Sequence, residues 1–220
     1  MSRSYRLLCP IARSLDRVGD RWTLLILRDL HAGPMRYGDV LTGLPGIASN
    51  LLATRLQKLQ SDGLVEQTQQ LYSLTELGKR TERVLWELAI LGGQFPPEED
   101  IKQPGHLRLV AVTLRGALRR VVPKDLEILV DFILDGESLT IDISPSRGVD
   151  VHYGAPDNAD LIAESSYEPM MAVASGDLPM ETFRAAHVKL QGPAAKQQSF
   201  ATLMGRVLTE GFVADELFTR

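Results

Sequence analysis

The sequence is poor in cysteine and has no long apolar run. Cys9 is the one cysteine among 220 residues, so the chain can form no internal disulfide, as is typical of proteins from reducing compartments. The longest apolar stretches, such as residues 24–27, fall far short of the ~20 residues needed to cross a bilayer. Pro10 and Arg13 interrupt any secretory apolar segment near the start. These absences predict a cytoplasmic protein that does not enter membranes.

The sequence also lacks the motifs of common enzymes and metal sites. It contains no HExxH zinc motif, no P-loop and no GxGxxG after a predicted strand. The histidines of the second half, His106, His152 and His187, are far apart and have no cysteine beside them. We therefore expect no catalytic site, no metal site and no cofactor.

The composition that is present is that of a globular protein, with 44% apolar and 24% charged residues. Residues 1–95 contain 12 Lys and Arg against 9 Asp and Glu, whereas residues 96–220 contain 12 against 19. A Gly- and Pro-rich segment lies at 92–106 between two apolar-periodic regions. We therefore predict a first domain at 1–95, a linker at 96–106 and a second domain at 107–220. The basic first domain is the candidate for binding an anionic polymer.

The two halves differ in predicted secondary structure. The first has helices near 10–19, 21–31, 36–43, 49–62 and 75–93 and a hairpin near 64–74. In the second, alternating apolar residues on both sides of Asp135-Gly136 predict a β-hairpin. The second half also has a helix near 107–121, strands near 149–153, 160–165 and 187–191, and helices near 167–175, 179–185 and 194–208. This predicts an α+β fold: an N-terminal winged helix-turn-helix domain plus a C-terminal α+β domain with a mainly antiparallel sheet covered by helices.

The helix predicted at 49–62 has two contrasting faces. Leu52, Leu56 and Leu59 lie on one arc and predict contact with a core. The opposite arc is small and polar, with Asn50, Ala53, Thr54, Gln57 and Ser61. Asn and Gln are suited to pair with adenine in the major groove of DNA. Any surface helix shows such amphipathicity, so the DNA-reading interpretation depends on the short helix before it and the hairpin after it.

Four short motifs follow one another over about residues 8–93: Cys9-Pro10, Arg21-Trp22-Thr23, Pro45-Gly46-Ile47, and Leu74-Thr75-Glu76 followed by Gly78. In kind and in order they resemble the motifs of the HxlR family of bacterial winged-helix transcriptional regulators. The resemblance implies a homodimer that binds double-stranded DNA at an inverted-repeat operator, with the helix at 49–62 in the major groove.

The candidate DNA contacts are Arg36, Ser49, Asn50, Thr54, Arg55, Gln57, Lys58, Gln67 and Gln69. The family usually has Ser where this chain has Ala48, so we expect Ser49 to cap the helix instead. Arg55 lies at the margin of the apolar arc, which leaves both a structural salt bridge and a DNA contact open. Lys58 is expected to face outward and to contact phosphate. The hairpin has no Lys or Arg, so its glutamines are expected to contribute little.

A dimer interface is predicted on the helix at 75–93. Leu77, Thr81, Val84, Leu88, Leu91 and Phe95 follow alternating four- and three-residue steps. This coiled-coil pattern favours Leu77, Val84, Leu88 and Leu91 as dimer contacts, although a helix packed on its own domain shows the same pattern. The family resemblance implies that the N-terminal helix joins the interface. Cys9 begins that helix and is either an oxidant sensor, as is thought for some relatives, or a small buried interface residue.

The second half resembles the sterol carrier protein type 2 domain in its order of elements and in residues 175–192, where Ala186 replaces the usual Gly. The resemblance implies an apolar cavity between the sheet and the helices. Candidates to line it and bind a small apolar effector are Met170, Met171, Phe183, Phe200, Leu203 and Met204, with ordinary core as the alternative. The arginine stripe Arg108, Arg115 and Arg119 predicts a solvated or interdomain face.

The sequence therefore predicts a DNA-binding transcriptional regulator, modulated by an apolar ligand or by oxidation of Cys9, and not an enzyme. The alternative is a lipid or acyl-chain carrier whose first domain serves only for dimerisation.

Overall fold

The computed structural model describes residues 4–95 and 107–212. Internal contacts divide the chain into two units, Met1–Leu85 and Trp86–Arg220. The division falls inside a helix, whereas the predicted linker at 96–106 lies outside the described residues. Within the described ranges, every helix is too short or too polar to cross a membrane.

The first unit combines short helices with a three-stranded sheet. Its elements are α1 (Pro10–Val18), α2 (Thr23–Leu30), β1 (Met35–Arg36), α3 (Tyr37–Gly43), α4 (Ser49–Ser61), β2 (Val65–Thr68), β3 (Leu71–Leu74) and α5 (Glu76–Lys79). β1 and β2 both pair antiparallel with β3, giving the strand order β1-β3-β2. The helices α2, α3 and α4, followed by the β2–β3 hairpin, confirm the predicted winged helix-turn-helix.

The core of the first unit is formed by apolar side chains from α2, α3, α4 and the sheet. Its buried members are Ile26, Leu27, Leu30, Met35, Val40, Leu44, Ile47, Leu52, Leu56, Leu59, Leu64, Val65 and Leu74. The three α4 leucines, Leu52, Leu56 and Leu59, are at most 1% exposed, as their spacing predicts. Burial of a leucine contributes ~1.5–3 kcal/mol, so these residues hold α4 against the rest of the domain.

The wing is a tight hairpin. Thr68 pairs with Leu71, so only Gln69 and Gln70 connect β2 to β3. Both have positive φ, 50° and 69°, the conformation of a type I′ turn, which usually takes Asn-Gly. Left-handed backbone at residues other than Gly, Asn and Asp costs ~1–3 kcal/mol each. The tip is therefore short and strained, with both glutamine side chains exposed.

The prediction of one continuous helix at 75–93 is wrong. α5 ends at Lys79 and a separate helix, α6, runs Glu82–Gly92. Between them, the Thr81 hydroxyl donates to the Gly78 carbonyl at 2.7 Å and lies 3.0 Å from Nε2 of His31 at the end of α2. These bonds hold the chain in a turn where a longer helix would continue. The coiled-coil pattern predicted for one long helix is therefore interrupted: Leu77 lies on α5, whereas Val84, Leu88 and Leu91 lie on α6.

The second unit is a five-stranded sheet with helices. After α6 come α7 (Arg108–Val121), β4 (Ile128–Leu134), β5 (Glu137–Ser144), β6 (Gly148–Tyr153), β7 (Leu161–Ser165), α8 (Tyr167–Ala174), α9 (Met180–His187), β8 (Lys189–Gln191), α10 (Ala194–Arg206) and a π-helical turn (Val207–Gly211). The strand order is β6-β5-β4-β7-β8, and only β4 and β7 are parallel. The predicted α+β class with a mainly antiparallel sheet is confirmed.

One face of this sheet is covered. Along β4, Ile128, Val130, Phe132 and Leu134 are buried and alternate with less buried residues, the period expected for a strand with one covered face. The rings of Phe132 and Phe200 are 6.0 Å apart, which places α10 against β4. Leu134 pairs with Glu137 across the Asp135-Gly136 turn, as predicted.

The prediction that the α7 arginines form a solvated or interdomain face is wrong for Arg115. This residue is 5% exposed, and its guanidinium donates to the Val151 carbonyl. Arg119 likewise donates to the Val149 carbonyl at 3.1 Å. Because β6 is an edge strand, the two arginines occupy carbonyls that would otherwise be open to pairing with another chain.

Asp150 joins the same edge. A hydrogen bond from His152 and the charge of Arg115 hold the pKa of Asp150 at about 2. A lowered pKa in the folded state stabilises the fold above the usual carboxyl pKa, and that contribution is lost as the pH falls towards 2. It is small, because the Asp150 side chain is 62% exposed.

Candidate nucleic-acid interface

The candidate interface consists of α3, the turn at 44–48 and α4. Leu44 and Ile47 are buried and anchor the turn, whereas Pro45 and Gly46 are exposed. Gly46 has φ +91°, a backbone conformation that glycine adopts without steric cost. This local chemistry sets the direction in which α4 leaves the turn.

The outward face of α4 is polar and uncharged. Its exposed residues are Ser49, Asn50, Ala53, Thr54, Gln57, Gln60 and Ser61. The structure therefore places the predicted base-reading residues Asn50, Thr54 and Gln57 together on one accessible surface. The Thr54 hydroxyl donates to the Asn50 carbonyl at 2.9 Å, while both amide side chains face solvent. Such a face can approach base edges without desolvating a charge.

The expectation that Ser49 caps α4 is wrong. Ala48 occupies the N-cap without a side-chain hydrogen bond, and Ser49 is the first helical residue. Instead, the Tyr37 hydroxyl donates to the Ser49 carbonyl at 2.6 Å and lies 2.9 Å from Ser49 Oγ. Tyr37 begins α3, so this contact ties together the starts of the two helices. Sequence reasoning missed Tyr37 because the contact is made in the tertiary structure.

Replacing Tyr37 with phenylalanine removes this link but keeps the ring. We expect the free energy of unfolding of the first unit to fall by ~0.5–1.5 kcal/mol, and DNA affinity to fall because the start of α4 is held less firmly. Urea titration and gel-shift titration measure the two effects. Tyr72→Phe, on β3, is the matched control; equal effects of the two substitutions would contradict a special role for Tyr37.

The two cations of α4 are paired with aspartates. Arg55 Nη2 lies 2.5 Å from Asp20 Oδ2, so the salt-bridge alternative for Arg55 is the one observed. Lys58 Nζ lies 2.7 Å from Asp62, which also pairs with Arg17 at 2.9 Å. Lys58 is partly exposed, and its ion pair is with Asp62, one helical turn further along α4. Its contact with phosphate stays a prediction.

The remaining candidate contacts are exposed. Arg36 precedes α3, where its backbone N–H donates to the Asp39 carboxylate at 3.3 Å, and the residue is open to solvent. Gln67 on β2 and Gln69 at the wing tip are also exposed. Among the three predicted cationic contacts, Arg36 is therefore exposed, whereas Arg55 and Lys58 are partly buried.

The apolar residues predicted for dimerisation are exposed in the single chain. Leu77, Val84, Leu88 and Leu91 are between 43% and 56% exposed. The N-terminal segment and α1 add Tyr5, Leu7, Leu8, Ile11 and Leu15. Cys9 is exposed at the N-cap of α1. Clusters of exposed apolar residues are typical of protein–protein contacts.

The second unit contains an apolar cavity of about 40 Å³. It is lined by four of the predicted residues, Met170, Phe183, Phe200 and Met204. The prediction of Met171 is wrong: it is 45% exposed and lies about 100° around α8 from the buried Met170. Leu203 is buried but does not line the cavity. Sequence reasoning missed two lining residues that are polar, Ser165 and Arg184.

Among solved structures, the ubiquinone synthesis protein UbiJ-SCP2 is 19% identical and covers 53% of this chain and 98% of its own, with a TM-score of 0.33. The resemblance to the sterol carrier protein type 2 domain stays a prediction.

Curated relatives match the first part of the chain. An uncharacterized HTH-type transcriptional regulator of Synechocystis sp., sll1512, is 31% identical over 99 residues, which cover 42% of this chain and 73% of that protein. The HTH-type transcriptional regulator YodB of Bacillus subtilis is 31% identical over 96 residues, covering 40% of this chain and 86% of that protein. The model of the HxlR-like helix-turn-helix family matches residues 17–100. The chain therefore belongs to the HxlR family of helix-turn-helix proteins.

Proposed function

We propose that this protein is a transcriptional regulator that binds a pseudo-palindromic operator as a homodimer. The observation that carries the proposal is the face of α4 on which Asn50, Thr54 and Gln57 lie exposed, opposite three fully buried leucines. Its relatives are HTH-type transcriptional regulators. In such proteins the second helix of the motif enters the major groove, and a two-fold dimer places two such helices ~34–36 Å apart.

Base contacts carry more of the proposed affinity than phosphate contacts. Arg55, Lys58 and Arg17 are already paired with carboxylates, and the wing has no Lys or Arg. Arg36 is the exposed cation among the predicted contacts, so we expect these contacts to release few counterions and to add little to the salt dependence of the affinity.

The proposed function is tested by footprinting and gel shifts on the DNA flanking the protein's own gene. We expect two protected half-sites related by two-fold symmetry. Gln57→Ala should cost ~1–3 kcal/mol of binding per half-site by removing a base contact, while Gln60→Ala, at the edge of the same face, should have little effect. Protection without symmetry, or equal losses in both variants, would count against α4 as the base-reading helix.

The exposed apolar residues are proposed to pack against a second copy of the chain. Val84, Leu88 and Leu91 lie along one side of α6, and Leu8 and Ile11 are among the most exposed apolar residues of the N-terminal segment. Exposed apolar residues on neighbouring turns of one helix are typical of protein–protein contacts. Family membership supports the homodimer.

Effector control is proposed through the second unit. Leu208 lines the cavity and belongs to the π-helical turn Val207–Gly211, whose Gly211 packs against Ala117 of α7. The next residue, Phe212, lies with its ring 6.0 Å from that of Trp86 on α6. A ligand that prefers one arrangement of this turn would thereby shift α6 and its dimer contacts, provided that it binds the two states with different affinity.

Control by oxidation is proposed at Cys9. The thiol is exposed at the start of α1, beside the exposed Leu8 and Ile11, so oxidation there would alter the proposed dimer surface. Cys9→Ser is expected to make DNA binding insensitive to peroxide or quinone. If the variant still responds like the parent protein in gel shifts, another group is the sensor.

A further inference from the structure

Ser165 lines the apolar cavity of the second unit and carries a buried hydroxyl. It is the last residue of β7 and shares the inward parity of Leu161 and Ala163. The residue is 8% exposed, and its Oγ has no hydrogen-bond partner among the described residues. A buried hydroxyl without a partner is unfavourable, and a polar atom of a ligand in the cavity would satisfy it.

Arg184 places a cation at the same cavity. It lies on α9 and donates from Nη2 to the Ala201 carbonyl on α10 at 2.9 Å. Gly205, one turn further along α10, leaves room for this approach, since a Cβ there would lie 2.7 Å from Nη2. The bond to Ala201 uses one of the five guanidinium N–H groups, so the other donors of this exposed, cavity-lining residue are available to a ligand.

The other residues that line the cavity are apolar, and among the described residues none carries a carboxylate. Ser165 and Arg184 can both donate hydrogen bonds, and guanidinium binds carboxylate oxygens in a bidentate manner. We propose that the cavity binds a small apolar monocarboxylic acid, whose carboxylate is held by Arg184 and Ser165 and whose hydrocarbon part contacts Phe132, Phe183 and Phe200. This cavity is the effector site proposed above, and only the effect of the bound acid on DNA affinity rests on the proposed function.

The size of the cavity limits the acid. About 40 Å³ exceeds the about 10–15 Å³ that one water molecule needs, but it is far below the ~300–1,000 Å³ of sites for drug-sized ligands. Met170, Met180 and Met204 line the cavity and have flexible side chains, which can rotate to enlarge it modestly. A short acid therefore fits better than a long-chain lipid.

Calorimetric titration of the full-length protein with hexanoate and benzoate tests the proposal, with hexan-1-ol and benzamide as neutral counterparts. We expect both acids to bind and the neutral compounds to bind at least about tenfold more weakly. Arg184→Met should weaken acid binding about ten- to hundredfold and Ser165→Ala about three- to tenfold. Arg147→Met and Ser199→Ala, exposed residues that do not line the cavity, are matched controls and should leave the affinity unchanged.

Melting temperatures distinguish a ligand site from a structural role. Ser165→Ala without ligand should melt at the same or a higher temperature, because it removes an unpaired buried hydroxyl, yet acid should stabilise it less than the parent protein. Failure of both acids to bind, equal binding of acids and neutral compounds, or unchanged affinity in Arg184→Met and Ser165→Ala would overturn the proposal. Gel shifts of the ligand-free protein measure the proposed DNA binding separately. Failure to bind the acids is thereby distinguished from failure to bind DNA.

Discussion

Replacing Leu88 and Leu91 together with aspartate is expected to convert the proposed dimer into monomers and to weaken operator binding about 10²–10⁴-fold. The two side chains lie on one side of α6 and are 43% and 56% exposed in the single chain, so a monomer tolerates the change. In a dimer, the aspartates would be buried against an apolar partner surface, which is strongly unfavourable for unpaired charges. Losing the dimer removes the effective concentration that the first half-site contact gives to the second.

Analytical ultracentrifugation measures the oligomeric state, and gel shifts on the same samples measure the affinity. Arg83→Asp is the control, because it introduces an aspartate about 100° around the same helix from Val84. Circular dichroism confirms that the variants remain folded. A double variant that is still a dimer at micromolar concentration would show that α6 is not the interface.

Replacing Leu56 with alanine is expected to lower the free energy of unfolding of the first unit by ~2–5 kcal/mol. Leu56 is 1% exposed and lies in the core cluster between Leu52 and Leu59, so the shortened side chain leaves a cavity that its neighbours fill only in part. Its neighbour Gln57 is exposed, and Gln57→Ala should change stability by no more than ~0.5 kcal/mol. Substitutions at these adjacent positions of α4 thus distinguish an effect on stability from an effect on DNA affinity.

The tryptophans allow each unit to be followed by itself. The chain has two: Trp22 packs against the core cluster of the first unit, and Trp86 against Gly116 of the second. In a Trp86→Phe background, urea unfolding followed by Trp22 fluorescence reports on the first unit. If Leu56→Ala lowers the free energy of unfolding of the first unit by less than ~1 kcal/mol, α4 contributes far less to this core than its burial indicates.

Local periodicity accounts for what sequence reasoning predicted about α4 and the sheet. A helix repeats every 3.6 residues and a strand every two, so the buried set of leucines and the alternation along β4 follow from neighbours in sequence. The Asp135-Gly136 turn is equally local, since both residues adopt positive φ with little cost.

Two of the errors, the continuous helix at 75–93 and the solvated face at Arg115, came from contacts between residues distant in sequence. Thr81 and His31 are 50 positions apart, and their contact marks the turn that separates α5 from α6. The Arg115 contact with Val151 spans 36 positions. The choice between the two roles left open for Arg55 also depended on a distant residue, since Asp20 is 35 positions away. No periodic pattern along the chain indicates such pairs.

The sequence by itself determined the α+β class, the helix-turn-helix with the two-faced helix α4, and four of the residues that line the cavity. Only the tertiary structure decided that Tyr37 contacts the start of α4, that Asp20 pairs with Arg55, and that Ser165 and Arg184 line the cavity. The reason is physical: backbone geometry orients side chains within one element, whereas hydrogen bonds and ion pairs depend on which elements packing brings together.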